Sequence, residues 1–324
     1  MTILKPLLRS LRARLAARPI VFVAVATFAL SLFFIVFPAV DLAFTRLFYV
    51  AGEGFPAARI GLLQELREAG SNIPVAVAIV LIVVLVLKLI YPLRPCLLPP
   101  RFTLYMTSVY LLGPVLLVNG ILKTFWGRPR PVKTLDFGGS LPFVDAWSIG
   151  DKLFSNRSFV SGEAAAVACL LPLVLFVPRP WRWQVVFIVA LMVGGVSLNR
   201  IAFGAHYLSD VAISIALVVT VAVASRQLFY VSHAAALSNE VLEARLTRIG
   251  LNSQAAFRRL VDGGRGVAGS VGRLGAQQVP VLLSLAGALA GRLEATLNGI
   301  AAPLSSAIGG TMVRFLSQVT PNRS

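Results

Sequence analysis

The sequence predicts an all-α fold, a polytopic membrane bundle of six transmembrane helices, on three observations. Hydrophobic residues fill 57% of the 324 positions and charged residues only 13%, against about 25% charged in a soluble globular chain. The apolar residues fall in long uncharged blocks. The formal net charge is +17, from 30 Lys and Arg against 13 Asp and Glu, and in a membrane protein such an excess marks loops or contact with anionic head groups and phosphates. A disordered chain, a secreted disulfide scaffold and a cytosolic enzyme are excluded by the same figures. Cys96 and Cys169 lie far apart, which argues against a structural disulfide or a zinc site.

The elements follow in order. Residues 1–19 form a basic N-terminus with Lys5, Arg9, Arg12, Arg14 and Arg18 and no acid before Asp41. Ile20 to Val40 is an uncharged run of 21 residues. It is too long for a signal-peptide core and ends in Phe37-Pro38, so it reads as a retained first span. Ile73 to Tyr91 is apolar apart from Lys88, expected to snorkel to the interface. Thr103 to Leu122 is uncharged, with a kink expected at Gly113-Pro114. Ala164 to Val177 is short and is expected to extend into the preceding loop. Trp183 to Asn199 has Trp181 and Trp183 at its mouth as interfacial anchors. Val211 to Ser225, with the residues before it, makes the sixth span. The core is therefore residues 20–233.

Residues 234–324 differ. They hold nine Arg and no Lys. Leu242, Leu246, Ile249, Ala256 and Leu260 recur at helical spacing, with Arg245, Arg248, Arg258 and Arg259 on other faces. A second stripe covers Pro280 to Ile300, after an expected glycine-rich linker at Gly263 to Gly275. These are basic amphipathic helices suited to anionic inner-leaflet lipids. Gly264 to Gly269 fits a dinucleotide-binding spacing, but no strand precedes it. Nucleic-acid-binding motifs are also missing, so nucleic acid is not an expected partner.

Loop charge sets the orientation. The N-terminus, the loop with Arg94 and Arg101, the turn with Arg179 and Arg182 and the segment after Arg226 are basic, hence cytoplasmic. The connection from Lys123 to Glu163 falls on the outer side, yet carries Lys123, Arg128, Arg130, Lys133, Lys152 and Arg157. Cations on that side need an anionic ligand or an inverted topology.

Three segments on the outer side decide for a ligand. Lys123 to Pro131 gathers Lys123, Arg128 and Arg130 with two prolines, and guanidinium forks suit phosphate oxygens. Ser158 to Glu163 opens a helix, where Ser161 and Gly162 offer backbone amides to an anion, or Ser161 serves simply as an N-cap. Arg200 to Asp210 places His206 and Asp210 four apart on one helical face. Asp210 can take the Nδ1 proton of His206 and leave Nε2 as a nucleophile. No metal-ligand cluster is visible, and no cofactor is expected.

Together these segments resemble the type 2 phosphatidic acid phosphatase (PAP2) superfamily, whose signature is KxxxxxxRP, then PSGH, then SRxxxxxHxxxD. The first motif matches at Lys123, Arg130 and Pro131. The third matches at Arg200, His206 and Asp210, with Asn199 in place of the usual Ser. In the second, Val160-Ser161-Gly162-Glu163 stands where Pro-Ser-Gly-His is expected. The resemblance covers residues 20–230 and implies a six-span core of PAP2 type.

It also implies a metal-independent phosphomonoester hydrolase. Lys123, Arg130 and Arg200, with Arg128 and the amides near Ser161 and Gly162, would hold the phosphate. His206 would form a phosphohistidine and Asp210 would hold it. Glu163 stands where the family's histidine protonates the leaving group. Three roles are open for it: an alternative acid, an ion-pair partner of Arg128 or Arg200, or the mark of a weakened relative. The expected substrates are envelope lipid phosphates, namely lipid A, undecaprenyl diphosphate, phosphatidylglycerol phosphate or phosphatidic acid. The expected setting is a bacterial inner membrane with the site toward the periplasm. A lipid phosphotransferase and a non-catalytic lipid-phosphate binder are the alternatives.

Overall fold

The computed structural model describes residues 18–152 and 155–270, together with Ser284 and Ala288. The regular elements among these residues are helices, with only two isolated β-bridges, Val50 with Gly54 and Thr134 with Leu141. Residues 1–253 form one compact unit and residues 254–324 another. The second apolar stripe, Pro280 to Ile300, lies outside the described residues apart from Ser284 and Ala288.

Five helices are long and apolar enough to cross a membrane. The first, α1 (Pro19–Val36), starts on a proline, whose fixed φ and missing N–H suit a first turn. Only Ser31 and Phe34 of α1 are buried, while Val25, Phe28 and Ile35 are exposed. Such a face is stable only against lipid. Pro38 interrupts the apolar run, because its ring cannot continue the helix. A separate short helix α2 (Ala39–Arg46) follows, so the first span ends at Val36 and Asp41 belongs to a new element.

Helix α3 (Gly61–Ile90) is longer than the apolar run predicts. Its first turns carry Gln64, Glu65, Arg67 and Glu68 and so stand beyond the apolar stretch. Lys88, expected to snorkel, is instead buried. Its ammonium donates to the carbonyls of Pro92 and Arg94 at 2.9 and 2.8 Å and ion-pairs with Glu243. A buried ammonium requires such partners. Glu243 lies on α8 (Asn239–Ser270), the basic amphipathic helix, which runs as helix to Ser270 through the first glycines of the expected linker.

The third span, α4 (Pro100–Phe125), widens into π-turns over Leu111–Leu122. Pro114 lies in that stretch, where its missing N–H breaks the α-helical ladder. Asn119 donates to the Pro114 carbonyl at 2.7 Å and Thr124 to that of Asn119 at 2.8 Å, re-satisfying the loosened backbone.

The expected fourth span is not a full-length helix. Helix α5 (Gly162–Ala168) is followed by a 3₁₀ stretch, Leu171–Phe176. Ser161 caps α5 by accepting the Ala164 amide at 3.3 Å, so the helix begins there and does not reach back into the loop. Pro172 ends its regular hydrogen bonding. Ala164, Ala165, Val167 and Ala168 are buried against the neighbouring helices.

Helices α6 (Arg182–Ala202) and α7 (Leu208–Gln227) complete the bundle. Trp181 and Trp183 at the mouth of α6 are exposed, as interfacial anchors are. Helix α1 packs along α7, where the hydroxyls of Thr27 and Thr220 meet at 2.9 Å. Because the long helices alternate in direction, one end of the bundle gathers Asp41, Arg67, Lys123, Ser161, Arg200 and His206.

Candidate active site

The segment Gly127–Val160 covers that end of the bundle and turns its first residues inward. Pro129 and Pro131 fix φ on both sides of Arg130, whose backbone is extended at φ −74 and ψ 151. Arg128 before it is fully buried. Its Nε donates to the Val144 carbonyl at 2.7 Å and Nη1 to the Ser209 hydroxyl at 2.8 Å. Nη1 also meets Asp210 Oδ1 at 2.6 Å, and Nη2 meets Asp41 Oδ2 at 2.8 Å. The guanidinium lies 4.3 Å from the centre of the Tyr207 ring. Arg128 is thus spent on two buried carboxylates.

His206 is buried between α6 and α7. Its Nδ1 lies 2.8 Å from the Ser158 carbonyl and 3.6 Å from Asp210 Oδ2. A carbonyl only accepts, so the proton resides on Nδ1 and Nε2 keeps its lone pair. The predicted contact to Asp210 is therefore relayed. Asp210 Oδ2 accepts from the Ser158 hydroxyl at 2.6 Å and from the Tyr207 amide at 2.9 Å. The Tyr207 bond also closes the first turn of α7. Burial, the largest influence, pushes the His206 imidazole below its ordinary value against the opposing pull of Asp210, and the charges of Arg200 and Lys123 act in the same direction as burial. His206 is then neutral at pH 7.

Burial and that neutral state carry a pH prediction. Since the unprotonated ring is the nucleophilic form, kcat/KM should show no acid limb at or above about pH 6.5, the value of an ordinary imidazole. An inflection at that pH or higher in a pH–rate profile would contradict the assignment.

The cations meet on the other side of His206. Lys123 lies close enough to Arg130, Arg157, Arg200 and Glu163 to feel their charges. Gly162 makes this approach possible: a Cβ there would lie 2.7 Å from Asn119 Oδ1 and 3.2 Å from Lys123 Nζ. The Ser161 amide is engaged by the Asp210 carbonyl at 3.1 Å, which leaves the amides of Gly162 and Glu163 at that terminus. Glu163 ion-pairs with Arg200 and, at 3.3 Å, with Arg67, and Ser71 donates to it at 3.3 Å. Two guanidinium groups stabilise the ionised carboxylate. Of the two ion-pair partners considered from sequence, Glu163 meets Arg200 and not Arg128. Asn199, which replaces the motif's Ser, donates to the Leu63 carbonyl at 2.8 Å and ties α6 to the start of α3.

Lys123, Arg130, Arg200, Gly162, Glu163 and His206 thus come to one place. Asp210 and Ser161 stand behind them and Arg128 deeper still. Sequence reasoning missed Arg67, Ser71, Ser209 and the role of Ser158. It also missed Asp41, although an acid directly after a 21-residue uncharged run was a visible signal.

Residues 102–233, which hold this site, match the family model of the PAP2 superfamily. The lipid A 4'-phosphatase of Rhizobium leguminosarum is 38% identical over 204 residues, covering 56% of this chain and 84% of that protein. The lipid A 4'-phosphatase of Rhizobium etli is 40% identical over 204 residues, covering 56% and 76%. That of Francisella tularensis subsp. novicida is 31% identical over 190 residues, covering 58% and 85%. No solved structure matches the chain. With these relatives, the chain belongs to the PAP2 superfamily and is an integral membrane lipid phosphatase, a phosphoric monoester hydrolase.

Proposed function

We propose that this enzyme removes the 4'-phosphate of lipid A at the periplasmic face of a bacterial inner membrane, through a phosphohistidine on His206. The observation that carries the mechanism is the fixed imidazole: Nδ1 is held by the Ser158 carbonyl at 2.8 Å, so Nε2 is the reactive atom. Three lipid A 4'-phosphatases among the relatives support the substrate. So does the placement of the site at the end of the spans, where a head group enters while acyl chains stay in the bilayer.

In this mechanism Lys123, Arg130 and Arg200 hold the phosphate oxygens and stabilise the charge of phosphoryl transfer. Nε2 attacks phosphorus, the P–O bond to the sugar breaks, and the alkoxide takes a proton from water. A second water then attacks the phosphohistidine, releasing phosphate and returning the lone pair to Nε2. Glu163 serves as the counter-charge that positions Arg200, because an ion-paired carboxylate is a poor acid.

Two measurements test this. Purified enzyme in mixed micelles should release phosphate from lipid A, with mass spectrometry locating the loss at the 4' position. Preference for undecaprenyl diphosphate or phosphatidic acid would overturn the substrate. For Glu163, the Glu163→Gln variant should lose less than about tenfold in kcat. A general acid would cost about 10²–10⁴-fold, so a loss in that range would restore the acid role.

A further inference from the structure

We infer that Asp41, which lies outside all three motifs, is a positioning residue: through Arg128 it fixes the groups that aim His206. The inference rests on His206 being the nucleophile. Asp41 sits in the first turn of α2 and is fully buried. Its Oδ2 accepts from Arg128 Nη2 at 2.8 Å and also from the Ser209 hydroxyl, and its Oδ1 accepts the Ser209 amide at 2.8 Å. Both oxygens are committed away from the phosphate cations, so Asp41 has no direct contact to offer a substrate.

The line of bonds is continuous. Arg128 Nη1 holds Asp210 Oδ1 at 2.6 Å, Asp210 Oδ2 holds the Ser158 hydroxyl at 2.6 Å, and the Ser158 carbonyl holds His206 Nδ1 at 2.8 Å. All five residues are at most 1% exposed, so no water competes for these bonds. The anchor at the far end is rigid too, since Phe44 of α2 and Phe48 just after it pack on the cluster of Ala164, Ile201 and Val211.

The charge of Asp41 matters for a geometric reason. Arg128 is shared between two carboxylates, one on each Nη. With Asp41 neutral, the planar fork is free to turn and take Asp210 with both arms. That motion draws Asp210 away from Ser158 and from the Tyr207 amide, and the imidazole loses its fixed direction. A nucleophile misplaced by about 1 Å costs on the order of 10²-fold in rate. Lys123, Arg130 and Arg200 stay in place, so binding is spared.

The experiment measures steady-state kinetics on lipid A in mixed micelles for Asp41→Asn, Ser158→Ala, the double variant and His206→Asn, with thermal melting of each. Asp41→Asn should lose about 10- to 100-fold in kcat at a KM within about threefold. The double variant should lose little more than the worse single variant, because both act through Asp210. A kcat for Asp41→Asn within threefold of the parent, a loss carried by KM, or losses that multiply would overturn the inference. If Asp41→Asn does not fold, Ser209→Ala cuts the hydroxyl link between Asp41 and Arg128 without removing a charge. A threefold or larger loss in kcat alone would then support the inference, and an unchanged kcat would overturn it. Retained activity in His206→Asn is a separate failure, that of the phosphohistidine mechanism.

Discussion

Replacing His206 by asparagine is expected to lower kcat by about 10⁴-fold or more while leaving the protein folded. The asparagine amide nitrogen falls where Nδ1 stands, so it can still donate to the Ser158 carbonyl, which the imidazole meets at 2.8 Å. What is lost is Nε2, the atom proposed to bond phosphorus. Without it the remaining cations can bind phosphate and polarise it, but no covalent path exists. Substrate binding by His206→Asn should be near that of the parent, because Lys123, Arg130 and Arg200 are untouched. Rapid acid quench with labelled lipid should trap phosphoenzyme in the parent and none in the variant. A variant retaining more than about a tenth of the parent kcat would remove His206 from the chemistry.

Replacing Arg128 by methionine is expected to destabilise the fold by about 3–5 kcal/mol, the cost of breaking a buried ion pair by removing one partner. Here the loss strands two carboxylates, Asp41 and Asp210, both fully buried. Neither has another Lys or Arg within ion-pair distance among the described residues, and His206, 3.6 Å from Asp210, is neutral. Arg128→Lys should fall between, because an ammonium is a point charge and cannot reach both carboxylates as the fork does. Arg130→Met is the contrast. Arg130 is half-buried and has no carboxylate at ion-pair distance among the described residues. Its loss should spare thermal stability and raise KM or lower kcat. Melting curves of the three variants check this, and equal stability of Arg128→Met and Arg130→Met would contradict the division of labour.

The same pair shows where sequence reading reached its limit. Arg128 and Arg130 look equivalent in Gly127-Arg-Pro-Arg-Pro131. The prolines hold the segment in an extended, polyproline-like form with three residues per turn, so side chains two apart point to different faces. One arginine enters the core and the other stays half-buried. Composition could not say which. His206 and Asp210, by contrast, were legible as partners from their spacing. The link between them was not, because the Ser158 carbonyl that takes Nδ1 comes 48 residues earlier. The short α5 was hidden for a similar reason: apolar length suggested a span, while Ser161 and Pro172 set its ends.

What the sequence by itself determined is therefore the membrane class, the apolar runs and the cations of the linked motifs, since these depend on local composition and spacing. Only the tertiary structure decided that Glu163 meets Arg67 and Arg200, that Lys88 is buried on Glu243, and that Asp41 braces Arg128. Those pairings join residues 37 to 155 positions apart. Their energies come from burial: a charge taken out of water must find its opposite wherever the packing of helices brings one.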